Sequence, residues 1–463
     1  MMNFIKRGLL ATAFFMWYTT GLLHAGPFRI GVASRVINNE IGRWVQGAGV
    51  PRQATGIRDD LEANAIYLSD EKTDILLVSC DLVGLEPEFN VKLREAMGVS
   101  AGLSPRNVLI SCTHTHGGPS LVRTNYLMPL DTLYMQKLTT ELIVLAKEAV
   151  KSARPGKIGW IKDELRIGYN RRLTWADGSH TMGGNAARAD FTGLEGPDDP
   201  QHTGMFAATT DGKLLAVLYH NTTHPTTFYG AGLYSADFPG EVRKALRKKL
   251  GEQLPVLFLN GAQGDIKMEN SLKPETETKE QKIARISRMI VDKTLSLYEN
   301  VTFDTSPVLK HAYEDLKVSV RLPDAMALLE GKNILQRIDA GENIRGMEMI
   351  MAFGAVHLQE RFGDHPFDIL PVHGIRIGEL AIVTQPCELF CQFGLDIKRR
   401  SPVGNTIVVG MTDGYNGYCP TIYGLLGGGY SGAPISWTRL EPYAGYKIVE
   451  TASRLLNRLW ARD

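Results

Sequence analysis

The chain has 463 residues, 44% of them hydrophobic, and a formal net charge of +1 at neutral pH. That apolar content supports a large core, while the near-neutral balance gives neither the basic surface that nucleic acid requires nor a strong pull toward acidic membranes. Five cysteines in this length exclude a disulfide-built scaffold, and their odd number leaves at least one unpaired.

The chain opens with Lys6 and Arg7, an apolar run over 9–18, a polar break at Thr19 and Thr20, and Leu23-His24-Ala25 before Gly26. Basic, then apolar, then a small residue is the order of a secretory signal peptide. The apolar run is shorter than the roughly 20 residues that span a bilayer. The expectation is therefore a signal peptide over 1–25, cleaved after Ala25, and a secreted or periplasmic mature chain. No later segment of the sequence reads as transmembrane.

Unbroken apolar runs at 28–33, 64–68, 74–79 and 108–112 read as strands buried on both faces, as do 213–219 and 254–259. Helical spacing sets in between them. Residues 131–152 carry Leu133, Met135, Leu138, Leu142, Leu145, Ala146 and Val150; residues 279–298 carry Ile283, Ile286, Met289, Ile290, Leu295 and Leu297. Strands interleaved with helices predict an α/β fold of layered mixed sheets flanked by helices. The glycine-rich stretch 424–432 (GLLGGGYSG) reads as a mobile loop rather than a regular element, and its glycines suit a lid. Cys80 and Cys112 lie in apolar runs and read as buried thiols, while Cys387 and Cys391 are not expected to pair.

The sharpest chemical signal is Thr113-His114-Thr115-His116-Gly117-Gly118-Pro119, directly after the run VLISC. Residues two apart on a strand point the same way, so His114 and His116 can address one point. Neutral imidazole is a standard zinc ligand. Three further segments supply metal-ligating types. Residues 217–225 (VLYHNTTHP) end a strand in His220 and His224. In 380–389 (LAIVTQPCEL) a strand breaks at Pro386 and presents Glu388. Residues 413–421 (DGYNGYCPT) place Tyr415 and Tyr418 in a glycine-rich turn. Ligands at strand ends, separated by long crossovers, are how open α/β sheets build their sites. These residues run from 114 to 418, and no linker, repeat or low-complexity tract divides the chain. One catalytic domain over 26–463 is expected, rather than the three that length alone suggests at about 150 residues each.

In this order the segments resemble the catalytic N-terminal domain of the neutral (non-lysosomal) ceramidases and their shorter bacterial relatives. The likeness begins at Arg29-Ile30-Gly31-Val32 and passes through QATGI (53–57), SCDL (79–82), THTHGGP, Asn170-Arg171, THP and SADFPG (235–240). GAQGD (261–265), QPCE and NGYCPT complete it, so that it covers 29 to about 435. The resemblance implies one Zn2+ ion held by His114, His224, Glu388 and Tyr418. His224 is preferred to its rival His220 by the match of THP and its distance to SADFPG. It further implies His116 as acid–base, Arg171 facing substrate, and Tyr430 as a further active-site tyrosine. The implied activity is an exported zinc hydrolase that cleaves an N-acyl amide bond of a small-molecule or lipid-like substrate.

The chemistry suits these residue types. Two histidines and a carboxylate leave zinc open positions at which water becomes acidic enough to attack a carbonyl. Asp81, Asp237 and Asp265 lie just past strands and are candidates to orient the imidazoles, with turn-capping as their other role. The sequence also departs from the family. Gly261 stands where ceramidases carry a serine, Gly117 replaces a serine after the second histidine, and the sequence stops near 463, where full-length ceramidases continue into a sandwich domain. These departures leave the metal set intact and predict that ceramide itself is a poor substrate. An ester, lactone or glycan-linked amide is the alternative substrate for the same geometry. A non-catalytic binding protein is a third reading, opposed by the retention of His116 and Arg171. Nothing in the sequence sets the oligomeric state.

Overall fold

The computed structural model describes residues 28–461 apart from 48, 274 and 275. The expected signal peptide lies outside the described residues. Eight long strands form the main sheet: β1 (Arg29–Val36), β2 (Glu62–Ser69), β3 (Asp74–Cys80), β4 (Val108–Cys112), β5 (Arg154–Glu164), β6 (Gln201–Thr209), β7 (Leu214–Asn221) and β8 (Val256–Asn260). They lie in the order β8-β7-β6-β5-β1-β2-β3-β4, with the short strand Phe303–Asp304 added against β5. The pairs at the two ends, β7 with β8 and β3 with β4, are parallel, and the pairs between them are antiparallel. A second sheet runs β9 (Leu309–Ser319), β10 (Phe367–Ile377), β11 (Leu380–Thr384) and β12 (Asn405–Val409), and its last pair is again parallel.

Period-two alternation decides what each strand face touches. Ile66 and Leu68 of β2, Leu218 of β7, and Leu257 and Leu259 of β8 share a core with Ile375 and Ile377 of β10, Ile382 of β11 and Ile407 of β12. The two sheets therefore pack face to face. The alternate residues face helices. Ala63, Ala65 and Val78 share a core with Leu138, Leu142 and Leu145 of α2 (Thr132–Lys151), beside α1 (Pro87–Ala101). Val217, Tyr219, Val256 and Phe258 do so with Val242 and Leu246 of α3 (Phe238–Leu250) and Ile286 and Ile290 of α4 (Lys279–Asn300). The hairpin of α5 (Ala325–Asp339) and α6 (Met347–Phe362) is a separate small core. Against the second sheet lie α7 (Cys391–Arg400) and α9 (Ala444–Trp460), while α8 (Ile422–Leu426) brings Gly424 against Glu195 and Phe390. Each fully buried Leu or Ile in these seams contributes roughly 1.5–3 kcal/mol.

The layered α/β architecture is the expected one, and the strands and two helices read from the sequence lie within three residues of their observed bounds. One expectation is overturned. The stretch 424–432 is not an unstructured loop: its first residues close α8, capped by the Thr421 hydroxyl. Buried Arg172 then fastens it, donating to the Gly424 carbonyl at 3.0 Å and to the Ser431 hydroxyl. Arg321 donates to the Gly432 carbonyl at 3.0 Å, so a lid hinged on these glycines does not fit the geometry. Cys80, Cys112, Cys387, Cys391 and Cys419 are all free and buried, and Cys387 does not bridge Cys391. Among the described residues no helix is long and apolar enough to cross a membrane.

Candidate metal and hydrolytic site

Three parallel strand pairs end at one place. From β3 and β4 come the Val83 carbonyl and His114; from β7 and β8, His224 and the Gly264 carbonyl; from β11 and β12, Glu388 and Tyr418. The carboxyl ends of parallel strands open a crevice because their crossovers leave in opposite directions. Backbone bonds lock the three pairs together. The Cys112 amide donates to the Met411 carbonyl and the Gly410 amide to the Asn260 carbonyl, both at 3.0 Å. The Asn260 side chain donates to the Thr113 carbonyl at 3.2 Å. Glu388 and Tyr418 are themselves partners in a two-residue parallel ladder.

His114, His116 and His224 converge, as the sequence predicted for the first two, but not by strand alternation. β4 stops at Cys112, and His114 takes the left-handed backbone conformation, φ +68°. A non-glycine residue there is strained by about 1–3 kcal/mol, and such strain collects at functional sites. The turn brings His116 Nε2 to 3.4 Å from His114 Nε2. Each ring is oriented by a carbonyl: His114 Nδ1 donates to Val83 at 2.6 Å, and His116 Nδ1 to Gly47 at 3.1 Å. A carbonyl only accepts, so each Nδ1 carries the proton and each Nε2 a lone pair. His224 Nε2 accepts from Arg171 Nη2 at 3.0 Å, which leaves its lone pair on the same side.

Glu388 faces this group. Its Oε2 lies 3.3 Å from His114 Nε2 and 3.2 Å from His224 Nε2, and its Oε1 accepts from the Tyr415 hydroxyl at 2.9 Å. Arg171 Nη2 also donates to the Tyr418 hydroxyl at 3.2 Å, and Tyr418 and Tyr430 hydroxyls are 3.3 Å apart. All seven sequence-predicted residues are thus brought together. Lone pairs aimed at one another in a buried site are repulsive unless something positive lies between them. A cation at that point would relieve all of these contacts at once. Tetrahedral ligands at about 2.0–2.1 Å from zinc stand about 3.3 Å from each other, close to the spacing of Glu388 Oε2 from the two imidazoles. His, His and carboxylate are also donors that zinc accepts, so the residues fit the ion. His116 completes a second compact trio with His114 and His224, all within 4.8 Å. Two donor sets therefore share two histidines.

Burial, then repulsion from His114, pushes the His116 imidazole down to about 3, so it is neutral at ordinary pH. Burial alone would raise the Glu388 carboxyl, but His114 and His224 hold it well below the usual range. Burial, then Glu388 and Tyr430, drives the Tyr418 phenol upward, with Arg171 opposing. The site opens into a cavity of about 470 Å³ whose polar floor is this cluster and whose walls include Val122, Met182, Met347, Ile350 and Trp437. An outer groove of about 360 Å³ shares Gly49, Tyr229, Met347 and Ile350 with it and continues past Val50. Tyr229 stands at this waist, its ring 5.8 Å from His116 and its hydroxyl accepting from the Gly49 amide at 3.0 Å.

The aspartates do not orient imidazoles. Asp81 pairs with Arg243 at 2.8 Å and accepts from the Glu62 amide, and Asp237 caps α3. Asp265 accepts from Asn170 Nδ2 and from the Cys391 amide, both at 2.7 Å, which ties the Arg171 segment to the Glu388 segment. Carbonyls orient His114 and His116 instead, and carbonyls have no sequence signature. His220 is buried against the Leu259 carbonyl at 2.9 Å and does not line the cavity. Nor does Gly261: a side chain there would meet Thr222 Oγ1 at 2.0 Å. A Cβ at Gly117 would meet the Ser235 carbonyl at 2.6 Å. Tyr415 went unassigned in the sequence, although it lies three residues before Tyr418.

Fold and site together define a layered α/β protein with a buried histidine–carboxylate cluster at its strand ends. The fold is neutral-ceramidase-like. It superposes on neutral ceramidase from Pseudomonas aeruginosa with a TM-score of 0.71 at 17% identity, over 94% of this chain and 75% of that one. A ceramidase complexed with C2 gives 0.69 at 16%, over 94% and 76%. No protein-family profile and no curated protein matches the sequence.

Proposed function

We propose that the protein is an exported zinc-dependent amidohydrolase, one catalytic domain over 26–463, that cleaves the N-acyl bond of a substrate with an apolar chain. The observation that carries this is the convergence of His114 Nε2, His224 Nε2 and Glu388 Oε2 on one buried point, with Arg171 as their one cationic neighbour among the described residues. His114, His224, Glu388 and Tyr418 would hold the ion. When bound, zinc supplies Lewis acidity that polarises an acyl carbonyl and makes water a usable nucleophile at neutral pH.

The chain's own residues do the rest. His116, neutral and with its Nε2 lone pair toward the cluster, takes a proton from the attacking water and returns it to the leaving nitrogen. Arg171 and Tyr430 present N–H and O–H groups to the carbonyl oxygen as negative charge develops there. The apolar walls and the continuing groove exclude water and accommodate an extended acyl arm. Since Gly261 faces Thr222 rather than the cavity, its missing hydroxyl does not argue against a long-chain substrate; the superposed ceramidases support trying ceramide first.

The test is metal analysis of purified protein together with hydrolysis assays on long-chain ceramide, short N-acyl amines and esters. About one zinc per chain, lost in His114→Ala and His224→Ala, and chelator-sensitive amide cleavage are expected. Full zinc occupancy in both variants, or hydrolysis indifferent to chelator, refutes the proposal. Ester turnover without amide turnover would assign a different bond.

A further inference from the structure

We infer that Tyr415 is a positioning residue that keeps Glu388 a one-oxygen ligand and thereby keeps a coordination position open for the reaction; this rests on the zinc reading above. A carboxylate beside a metal can offer one oxygen or two, and using both fills a position that catalysis needs. In this structure the two oxygens of Glu388 are divided. Oε2 faces His114 and His224, whereas Oε1 accepts the Tyr415 hydroxyl at 2.9 Å and so points away from them. Tyr415 is buried, and its phenol has Glu388 as its hydrogen-bond partner.

The ring is held by a rigid bracket. The Asn416 amide donates to the Pro386 carbonyl at 3.1 Å and the Glu388 amide to the Gly417 carbonyl at 2.9 Å, so the turns bearing the tyrosine and the carboxylate are stitched on both sides. Gly84 supplies the space on the far side of the ring, where an added Cβ would lie 3.1 Å from Tyr415 Cβ and Cδ2. The neighbouring Val83 carbonyl orients His114. One turn therefore fixes two of the four ligands, one by a carbonyl and the other through a phenol. Partners of this kind, which orient a ligand without touching the metal, typically change metal affinity or activity 10–100-fold when removed.

The experiment compares wild type with Tyr415→Phe, which keeps the ring and removes only the hydroxyl. Zinc dissociation constants come from competition with a chelating dye, and cobalt(II)-substituted protein reports coordination number through its visible absorption. The expected result is zinc binding weakened about 10–100-fold, a cobalt spectrum shifted toward higher coordination, and a lower kcat at unchanged KM. Gly84→Ala, which presses on the same ring, is expected to move affinity and spectrum in the same direction. Tyr219→Phe, which alters a buried phenol on β7 with no hydrogen-bond partner among the described residues, is expected to move neither. Unchanged zinc affinity and cobalt spectrum in Tyr415→Phe, or an equal change in Tyr219→Phe, overturns the inference. A wild type that binds no zinc refutes the underlying function instead, so the two failures are distinct.

Discussion

Gly261→Ser restores the residue type that ceramidases carry at this point and should destabilise the protein without improving its chemistry. A Cβ built on Gly261 lies 2.0 Å from Thr222 Oγ1 and 2.9 Å from Thr222 Cβ. Both residues sit at the ends of paired strands, and the Gly261 amide donates to the Asn221 carbonyl at 2.9 Å, so the backbone has little freedom to withdraw. Thr222 must turn away, which breaks its 3.3 Å hydrogen bond to Asp199. Overpacking costs typically 1–3 kcal/mol and a lost hydrogen bond about 0.5–1.5, so the expected loss is about 2–4 kcal/mol. Urea unfolding of the chelator-treated protein measures it. Thr222→Ala removes the clashing oxygen, so a double-mutant cycle should return a coupling of at least about 1 kcal/mol. A Gly261→Ser protein within about 0.5 kcal/mol of wild type would refute the close approach. A large gain in ceramide turnover would refute the exclusion of this position from the site.

His116→Ala should retain zinc while turnover falls roughly 10²–10⁴-fold, the usual share of proton transfer; zinc lost from this variant would make His116 a ligand and the three histidines the donor set. His202, buried between Asn221 and Thr294, is held down to about 4 by burial, against 6.5 for a free imidazole. The unfolded chain therefore takes the proton first, and the contribution of neutral His202 is complete above about pH 6.5 and lost as pH falls through about 4. The stability difference between wild type and His202→Gln should be constant above about pH 6.5 and shrink between about 6.5 and 4 by at most about 1.4 kcal/mol per pH unit. Urea unfolding from pH 5 to 8 checks this, and a difference that does not vary with pH refutes it.

Strands such as β3 and β4 were legible because both faces are buried, one by the opposing sheet and one by helices, which makes the apolar run continuous. β10 was not, since exposed Phe367 and Ile369 lie on one face of it and buried Leu370 and Val372 on the other, so no continuous buried run marks it. The converging side chains could be found because histidine and glutamate after an apolar run are conspicuous. What orients them could not: Val83 and Gly47 act through backbone carbonyls, and any residue would look the same. The pairing of His114 with His116 was anticipated for a reason that does not hold. A positive φ at His114, invisible in composition, replaces the strand alternation that first suggested it. The aspartates misled because a carboxylate after a strand serves helix caps and ion pairs equally well.

The meeting of three strand pairs sets when the site can exist. His224 and Glu388 are separated by 164 positions, and Arg171 and Tyr418 by 247. Contacts this distant form late, because long loops must close before they are rewarded. A nascent chain therefore has no binding point until the turn carrying Tyr418 docks against β4 and β8. On the zinc proposal, uptake of the ion would register completed tertiary structure, and a chain with any one pair undocked would be both misfolded and metal-free. Metal content measured on a destabilised variant should accordingly follow the folded fraction rather than the number of ligands it retains.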